Sequence, residues 1–290
     1  MVAALSLVRP ERRLAGAVLG RLVPHALARV AQRVAAGGPF IRGVNYHATP
    51  ERDAASFRRQ LAWYRRHYSN VTYEDLEAFL SRGVWTKPKP GLLLSFDDGY
   101  RDNATVAAPL LEEFGFTGWF FVPSRFAVEE HDGAGGNQPP NPCMTRDQLR
   151  SLATRHVVGC HSQSHFRLRA SAGAERLRRE VIDAKAELEG VLGRAVTTFC
   201  WVGGEEDTYS AEAARFVEEA GYRFGFMTNP VPMTTRTHPL ELQRANVEAD
   251  YPLALVNFQL MGLMDILYIP KRRRVNTLTH GVPRASDATR

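Results

Sequence analysis

Only three cysteines occur in 290 residues, Cys143, Cys160 and Cys200. Their odd number and the lack of short paired spacings exclude a disulfide framework and a zinc knuckle, and leave three reduced, buried thiols. No stretch approaches the ~20 consecutive apolar residues of a membrane span. The apolar run 14–19 is cut by Arg21, and no small-residue cleavage site follows it, so no secretory signal is read there. A cytoplasmic location, extending to the inner face of a membrane, is therefore expected. The basic run 271–274 has no aromatic residues interleaved with it and no nucleic-acid module is readable, so no nucleic-acid partner is expected.

What the chain does have is a core. Hydrophobic residues make up 44% of it, enough at this length for one large α/β domain. Lys and Arg number 37 against 31 Asp and Glu, a net charge of +6, with much of the excess at the two ends. Residues 12–35 alternate apolar and arginine positions with helical spacing (Leu14, Val18, Leu22, Leu27, Val30, Val34). That pattern fits a helix packed on the outside of the domain, or one lying on a membrane face. The expected organisation is an N-terminal helical extension over 1–38, a single domain over 39–270, and a basic, flexible tail over 271–290.

Within 39–270, short apolar runs alternate with amphipathic segments. Strands are predicted at 40–46, 91–96 (GLLLSF), 117–122, 157–160, 197–200 and 224–227. Helices are predicted around Phe57–Tyr64 and over 74–81, 106–114, 146–154 with Thr145 as N-cap, 172–192 and 211–220. Such alternation implies βαβ units and a parallel sheet, open or closed into a barrel, with the site at the C-terminal ends of the strands. The Gly- and Pro-rich stretch 133–142 reads as a surface loop near the mouth.

The polar clusters fall at those strand ends. Asp97 and Asp98 follow GLLLSF, with Gly99 available for a sharp turn. Neighbours on an extended backbone point to opposite sides, so the two carboxylates can divide two jobs. His161 and His165 lie four apart in HSQSH, within reach of one ion, and with Asp98 they make a two-imidazole, one-carboxylate set with positions left open. Zinc suits these donors best, with cobalt, nickel or manganese as alternatives. In amide hydrolysis such an ion polarises the carbonyl and acidifies a water, and a nearby carboxylate takes the proton. Asp97 is the candidate base. The glycine turn Gly203-Gly204 could offer an amide to an oxyanion.

These motifs resemble those of the polysaccharide deacetylases with the NodB homology domain, carbohydrate esterase family four, over about residues 44–262. LLLSFDDGY (92–100) is similar to the family's first motif, which implies Asp97 as catalytic base and Asp98 as metal ligand. HSQSH is similar to its His-Ser/Thr-x-x-His motif, which implies His161 and His165 as the other ligands, and NYHATP resembles its opening Tyr-His. The resemblance implies a distorted (β/α) barrel with fewer than eight regular strands, and removal of N-acetyl groups from amino sugars or glycans. Two departures stand out. Where the third motif carries an arginine that orients the base, this chain reads CWVGG, with Cys200 at the arginine position; that arginine is missing, as it is in the branch resembling β-1,6-glucosamine deacetylases, and Gly203 would supply the oxyanion amide. The Leu-x-His that supplies a general acid has only the LTH of 278–280 as a match. Arg244 in LQRAN resembles a late family arginine and could orient Asp97 or the substrate, or be a plain surface residue.

His47, at a strand end, could act as acid, touch substrate, or make a structural hydrogen bond. His238 sits in an apparent loop. Trp201 is expected to form a wall of the acceptor pocket, with a core tryptophan as the other reading. The expected activity is deacetylation of an N-acetylated sugar or oligosaccharide in glycan or glycoconjugate biosynthesis. Hydrolysis of a small amide or cyclic imide, or a non-catalytic carbohydrate-binding role, are the alternatives.

Overall fold

Parallel strands close a barrel whose inner and outer faces are set by residue parity. The computed structural model describes residues 10–129 and 142–280. The strands are β1 (Ile41–Tyr46), β2 (Ser69–Asn70), β3 (Gly91–Phe96), β4 (Gly118–Val122), β5 (Val157–Cys160), β6 (Thr198–Cys200), β7 (Phe224–Met227) and β8 (Leu242–Asn246). All pairings are parallel, in the order β1-β8-β7-β6-β5-β4-β3-β2. A six-residue β1–β3 pairing, from Ile41↔Gly91 to Tyr46↔Phe96, closes a seven-stranded barrel and leaves the two-residue β2 splayed at the start of β3. β5 and β6 meet through a single pair, Cys160↔Phe199, so the closure is uneven.

β3 is buried on both faces, as its continuous apolar run requires. Leu92, Leu94 and Phe96 face the helices, while Leu93 packs inside with Ile41, Trp119, Phe121, Phe226 and Leu242. This inner cluster floors the barrel, and the outer cluster joins sheet to helices.

The helices are α1 (Pro10–Leu22), α2 (His25–Ala36), α3 (Ala54–His67), α4 (Tyr73–Arg82), α5 (Ala108–Phe114), α6 (Ser124–Glu129), α7 (Arg146–Leu152), α8 (Ala174–Arg178), α9 (Ala184–Leu192), α10 (Ala211–Glu219), α11 (Leu253–Leu260), α12 (Leu263–Leu267) and α13 (Ile269–His280). Thr145 caps α7 in a capping box with Gln148, as its position suggested. The expected single helix 172–192 is instead a 3₁₀ turn, α8, a π-turn over Arg179–Asp183 and α9. The N-terminal pattern splits into α1 and α2 at Pro24, where proline ends the first helix.

One expectation needs correction, and three elements went unforeseen. Residues 271–280 are not a flexible tail but part of α13: Val275 is fully buried, Lys271 nearly so, and Arg274 pairs with Glu206 at 2.5 Å. β8 and α11–α12 were not anticipated as elements. The loop expected at 133–142 lies outside the described residues save Pro142, as do 281–290.

Candidate functional site

β3 ends by delivering Asp97 into the top of the barrel. Asp98 then adopts φ 72° and Gly99 φ 71°, a left-handed pair that reverses the chain and carries the second carboxylate sideways. Asp tolerates this region better than most residues. At Gly99 a side chain would also meet Val122 Cγ1 at 2.8 Å.

The HSQSH loop after β5 is equally constrained, with Ser162 at φ 64° and His165 at φ 57°. A buried carboxylate holds it. Glu180 accepts hydrogen bonds from the backbone N–H groups of Gln163 (3.0 Å) and Ser164 (2.9 Å) and from Ser164 Oγ (2.7 Å), and Arg176 balances its charge at 2.9 Å. One turn-pair further along the helix, Glu187 accepts from Gln163 Nε2 and from Ser124 Oγ, both at 2.6 Å. Glu180 and Glu187 lie seven apart on one helical face, and nothing in the sequence marked them.

Three donor atoms converge between these two turns. His161 Nε2 is 3.4 Å and His165 Nε2 3.0 Å from Asp98 Oδ1, and all three ligand atoms lie within 4.8 Å of one another. Tetrahedral zinc with ligands at ~2.05 Å would space them by about 3.3 Å, so the set fits one ion. His161 Nδ1 sits 2.9 Å from the Cys200 carbonyl oxygen. With the proton on Nδ1 and donated there, Nε2 keeps its lone pair for a metal. Burial raises the Asp98 pKa, but the facing imidazoles of His161 and His165 outweigh it and hold the carboxyl well below its ordinary range.

Asp97 is held differently. Arg244, on β8 and fully buried, grips it with both arms: Nη1 to Oδ1 at 2.7 Å and Nη2 to Oδ2 at 2.9 Å. The guanidinium also donates to Ser95 Oγ and Cys200 Sγ (2.8 and 2.9 Å) and lies 5.3 Å from the Phe121 ring centroid. Gly43 makes room, since a Cβ there would sit 3.0 Å from Arg244 Cγ. Burial raises the Asp97 pKa, yet Arg244 and His161 bring it below the usual carboxylate value. Cys200 therefore does not leave the base without an orienting arginine, since β8 supplies one. Asp97, His161 and Cys200 also lie close enough to be weighed as ligands. Arg244 occupies both Asp97 oxygens, however, and burial pushes the Cys200 thiol well above its ordinary pKa, so it stays a protonated, poor ligand.

An open cavity of about 1130 Å³ stands over these groups. His47, Asp97, Asp98, His161, His165 and Gly203 line it, with Arg244 beneath. His47 Nδ1 is 3.2 Å from Glu248 Oε1. Burial lowers the His47 pKa, but Glu248, helped by Asp97 and Asp98, raises it to about 9. Among the described residues the Gly203 N–H has no hydrogen-bond partner.

Trp201 does not line the cavity, contrary to expectation. It is 2% exposed and packs in the outer core, edge-on to Phe199 (5.9 Å) and tilted to Tyr209 (5.2 Å). Cys200 points inward, so its neighbour points out. His238 takes a local role near the backbone N–H of Leu240, 3.2 Å from its Nδ1. The LTH histidine, His280, ends α13, and its side chain lies outside the described residues.

Comparison with known proteins agrees with this geometry. YxkH of Bacillus subtilis (strain 168), whose name marks it as a proposed polysaccharide deacetylase, is 22% identical over 176 residues, 60% of this chain and 57% of that protein. The chain thus spans under two-thirds of this relative's length. The Streptococcus pyogenes deacetylase PplD superposes with a TM-score of 0.63 at 20% identity, covering 76% of this chain and 98% of that one. IcaB from Ammonifex degensii gives 0.60 at 18%, covering 77% and 98%. Both share the barrel. Residues 85–225 match the polysaccharide deacetylase family model.

Proposed function

We propose that this chain is a metal-dependent hydrolase that removes an N-acetyl group from an amino sugar or glycan, with zinc as the ion best suited to its donors. The observation that carries this reading is the division of labour between adjacent carboxylates. Asp98 faces His161 and His165, while Asp97, one residue away, is locked by Arg244 beside the same cavity. A site that only held an ion would have no use for the second carboxylate and its buried arginine.

Asp98, His161 and His165 would hold the ion, which when bound supplies Lewis-acid polarisation of the amide carbonyl and a water of lowered pKa. The remaining chemistry belongs to the side chains. Asp97, ionised and fixed in orientation by Arg244, accepts the proton of the attacking water. The N–H of Gly203, a residue lining the cavity, stabilises the negative charge developing on the carbonyl oxygen. His47, kept protonated by Glu248, donates a proton to the departing sugar amine, the acid role the sequence allowed it beside the LTH motif.

The test is acetate release by the metal-loaded protein from N-acetylated monosaccharides, sugar nucleotides and oligosaccharides. Release from at least one, abolished in Asp97→Asn with the metal retained, is the expected result. Metal-loaded protein that binds these sugars without releasing acetate would overturn the reading in favour of a non-catalytic carbohydrate-binding role.

A further inference from the structure

The two N-terminal helices are turned inside out. On α2 the buried positions are His25, Ala28 and Gln32, and two of these are polar. His25 Nδ1 meets Asn257 Oδ1 at 2.7 Å, and Gln32 Nε2 donates to the Leu260 carbonyl at 2.9 Å. The opposite side of the helix carries Leu27, Val30 and Val34, between 63% and 77% exposed. α1 repeats the inversion. Gly16 and Gly20 face α11, so near that a Cβ at position 20 would lie 1.8 Å from the Ala254 carbonyl oxygen, while Leu14, Val18 and Leu22 are left outside. A helix on a water-facing surface turns its apolar stripe inward. Here packing consumes the polar and glycine faces and leaves the apolar stripe without a partner.

The face continues to the cavity. Gln32 lies against Gly262, and Arg42 holds Asp265 at 2.5 Å, which fixes α12 beside α2. α12 exposes Leu263, Ile266 and Leu267, and Leu267 also lines the cavity mouth. The charge on this side is mainly positive, since residues 10–36 contain five arginines and a single glutamate. Arg21 and Arg33 are exposed among the apolar positions. No described helix is long and apolar enough to cross a bilayer.

We propose that α1, α2 and α12 form a docking surface for an anionic lipid bilayer, with Leu27, Val30 and Val34 in the acyl boundary, the arginines among the phosphates, and the cavity mouth at headgroup level. Apolar side chains flanked by arginine suit that boundary. A second copy of the chain fits less well, because a two-fold contact would set the same arginine-rich patches against each other.

The full 290-residue chain, with metal bound, is mixed with vesicles of phosphatidylcholine alone or with about one-third phosphatidylglycerol, and bound protein is measured by sedimentation. Binding to the anionic vesicles is expected, weakened by high salt. Val30→Glu with Val34→Glu should lower partitioning at least ~100-fold at an unchanged melting temperature, because both side chains already face solvent. If that pair disturbs folding, the milder Leu27→Gln should still cost about tenfold, and Arg33→Gln about fivefold on anionic vesicles only. Absence of binding to the anionic vesicles would overturn the proposal. So would a lipid-free dimer that Val30→Glu dissociates.

Discussion

Arg244 and Asp97 form a bidentate ion pair that bridges β8 and the end of β3, at 2.7 and 2.9 Å, with both side chains out of water. Truncating Arg244 to Met leaves a buried carboxylate unpaired, which should cost about 3–5 kcal/mol of stability. Arg244→Lys keeps the charge but loses the fork. Because Arg244 helps hold the Asp97 pKa down, both variants should raise it, moving the acid limb of kcat/KM to higher pH. An acid limb unmoved in Arg244→Lys would separate the arginine from the base.

Metal content should divide the two aspartates. Asp98→Ala, His161→Ala and His165→Ala should each lose most of the bound ion, whereas Asp97→Asn should retain it while kcat falls by about 10² to 10⁴. Chelation of the wild-type protein should lower its melting temperature, since an ion at 100 times its Kd stabilises by about 2.7 kcal/mol. Elemental analysis and thermal melts of the same preparations read both effects.

His47 should set the alkaline limb. Its pKa is raised to about 9, so the acid form is present below that value and lost as pH rises through it. Glu248→Gln removes the partner that raises it, and the limb should move to lower pH. His47→Gln should remove the limb and lower kcat by about 10² or more. These outcomes are read from kcat profiles between neutral and alkaline pH.

Acid should loosen the N-terminal helices first. Burial lowers the His25 pKa from 6.5 to about 4, opposed by its bond to Asn257 and aided by His67, Arg29 and Arg42. The unfolded segment therefore takes up the proton before the folded one. Stability is full above about pH 6.5 and falls as pH drops toward 4, by about 3 kcal/mol for a shift of this size. Trp63, whose ring centroid is 4.5 Å from that of His25, provides a fluorescence probe. In His25→Phe the pH dependence of this signal should vanish.

Trp201→Ala should behave as a core deletion, losing about 3–5 kcal/mol with KM nearly unchanged. A selective rise in KM at constant melting temperature would return Trp201 to the pocket.

The parts that were legible in the sequence are those in which chemistry and chain neighbourhood coincide. LLLSFDDGY joins a doubly buried strand to its two carboxylates, and HSQSH packs both histidines into five residues. Arg244 was visible as a candidate to orient Asp97, although 147 residues separate them and only closure of the barrel brings them together. Glu248 was hidden by the 201 residues between it and His47, whereas Glu180, only 16 residues beyond Ser164, sits in no recognisable motif. Trp201 was expected in a pocket wall because a flat indole suits a sugar ring, whereas strand parity, with Cys200 inward, sends the indole outward. The run 271–274 looked like a solvated tail because its charges are answered by distant groups: the Arg274 guanidinium by Glu206, and that of Arg272 by the carbonyls of Pro230 and Asp265.

β8 gives the barrel its last strand and the base its arginine, so closure of the barrel and the base's counter-charge arrive together. As the chain leaves the ribosome, the ion's three side chains have all emerged by residue 165. Asp97 must wait for residue 244, nearly 80 residues later, before it has a counter-charge. A partly synthesised or clipped chain ending before β8 could trap the ion while lacking a poised base, which ties the proposed hydrolysis to arrival of the strand that seals the barrel.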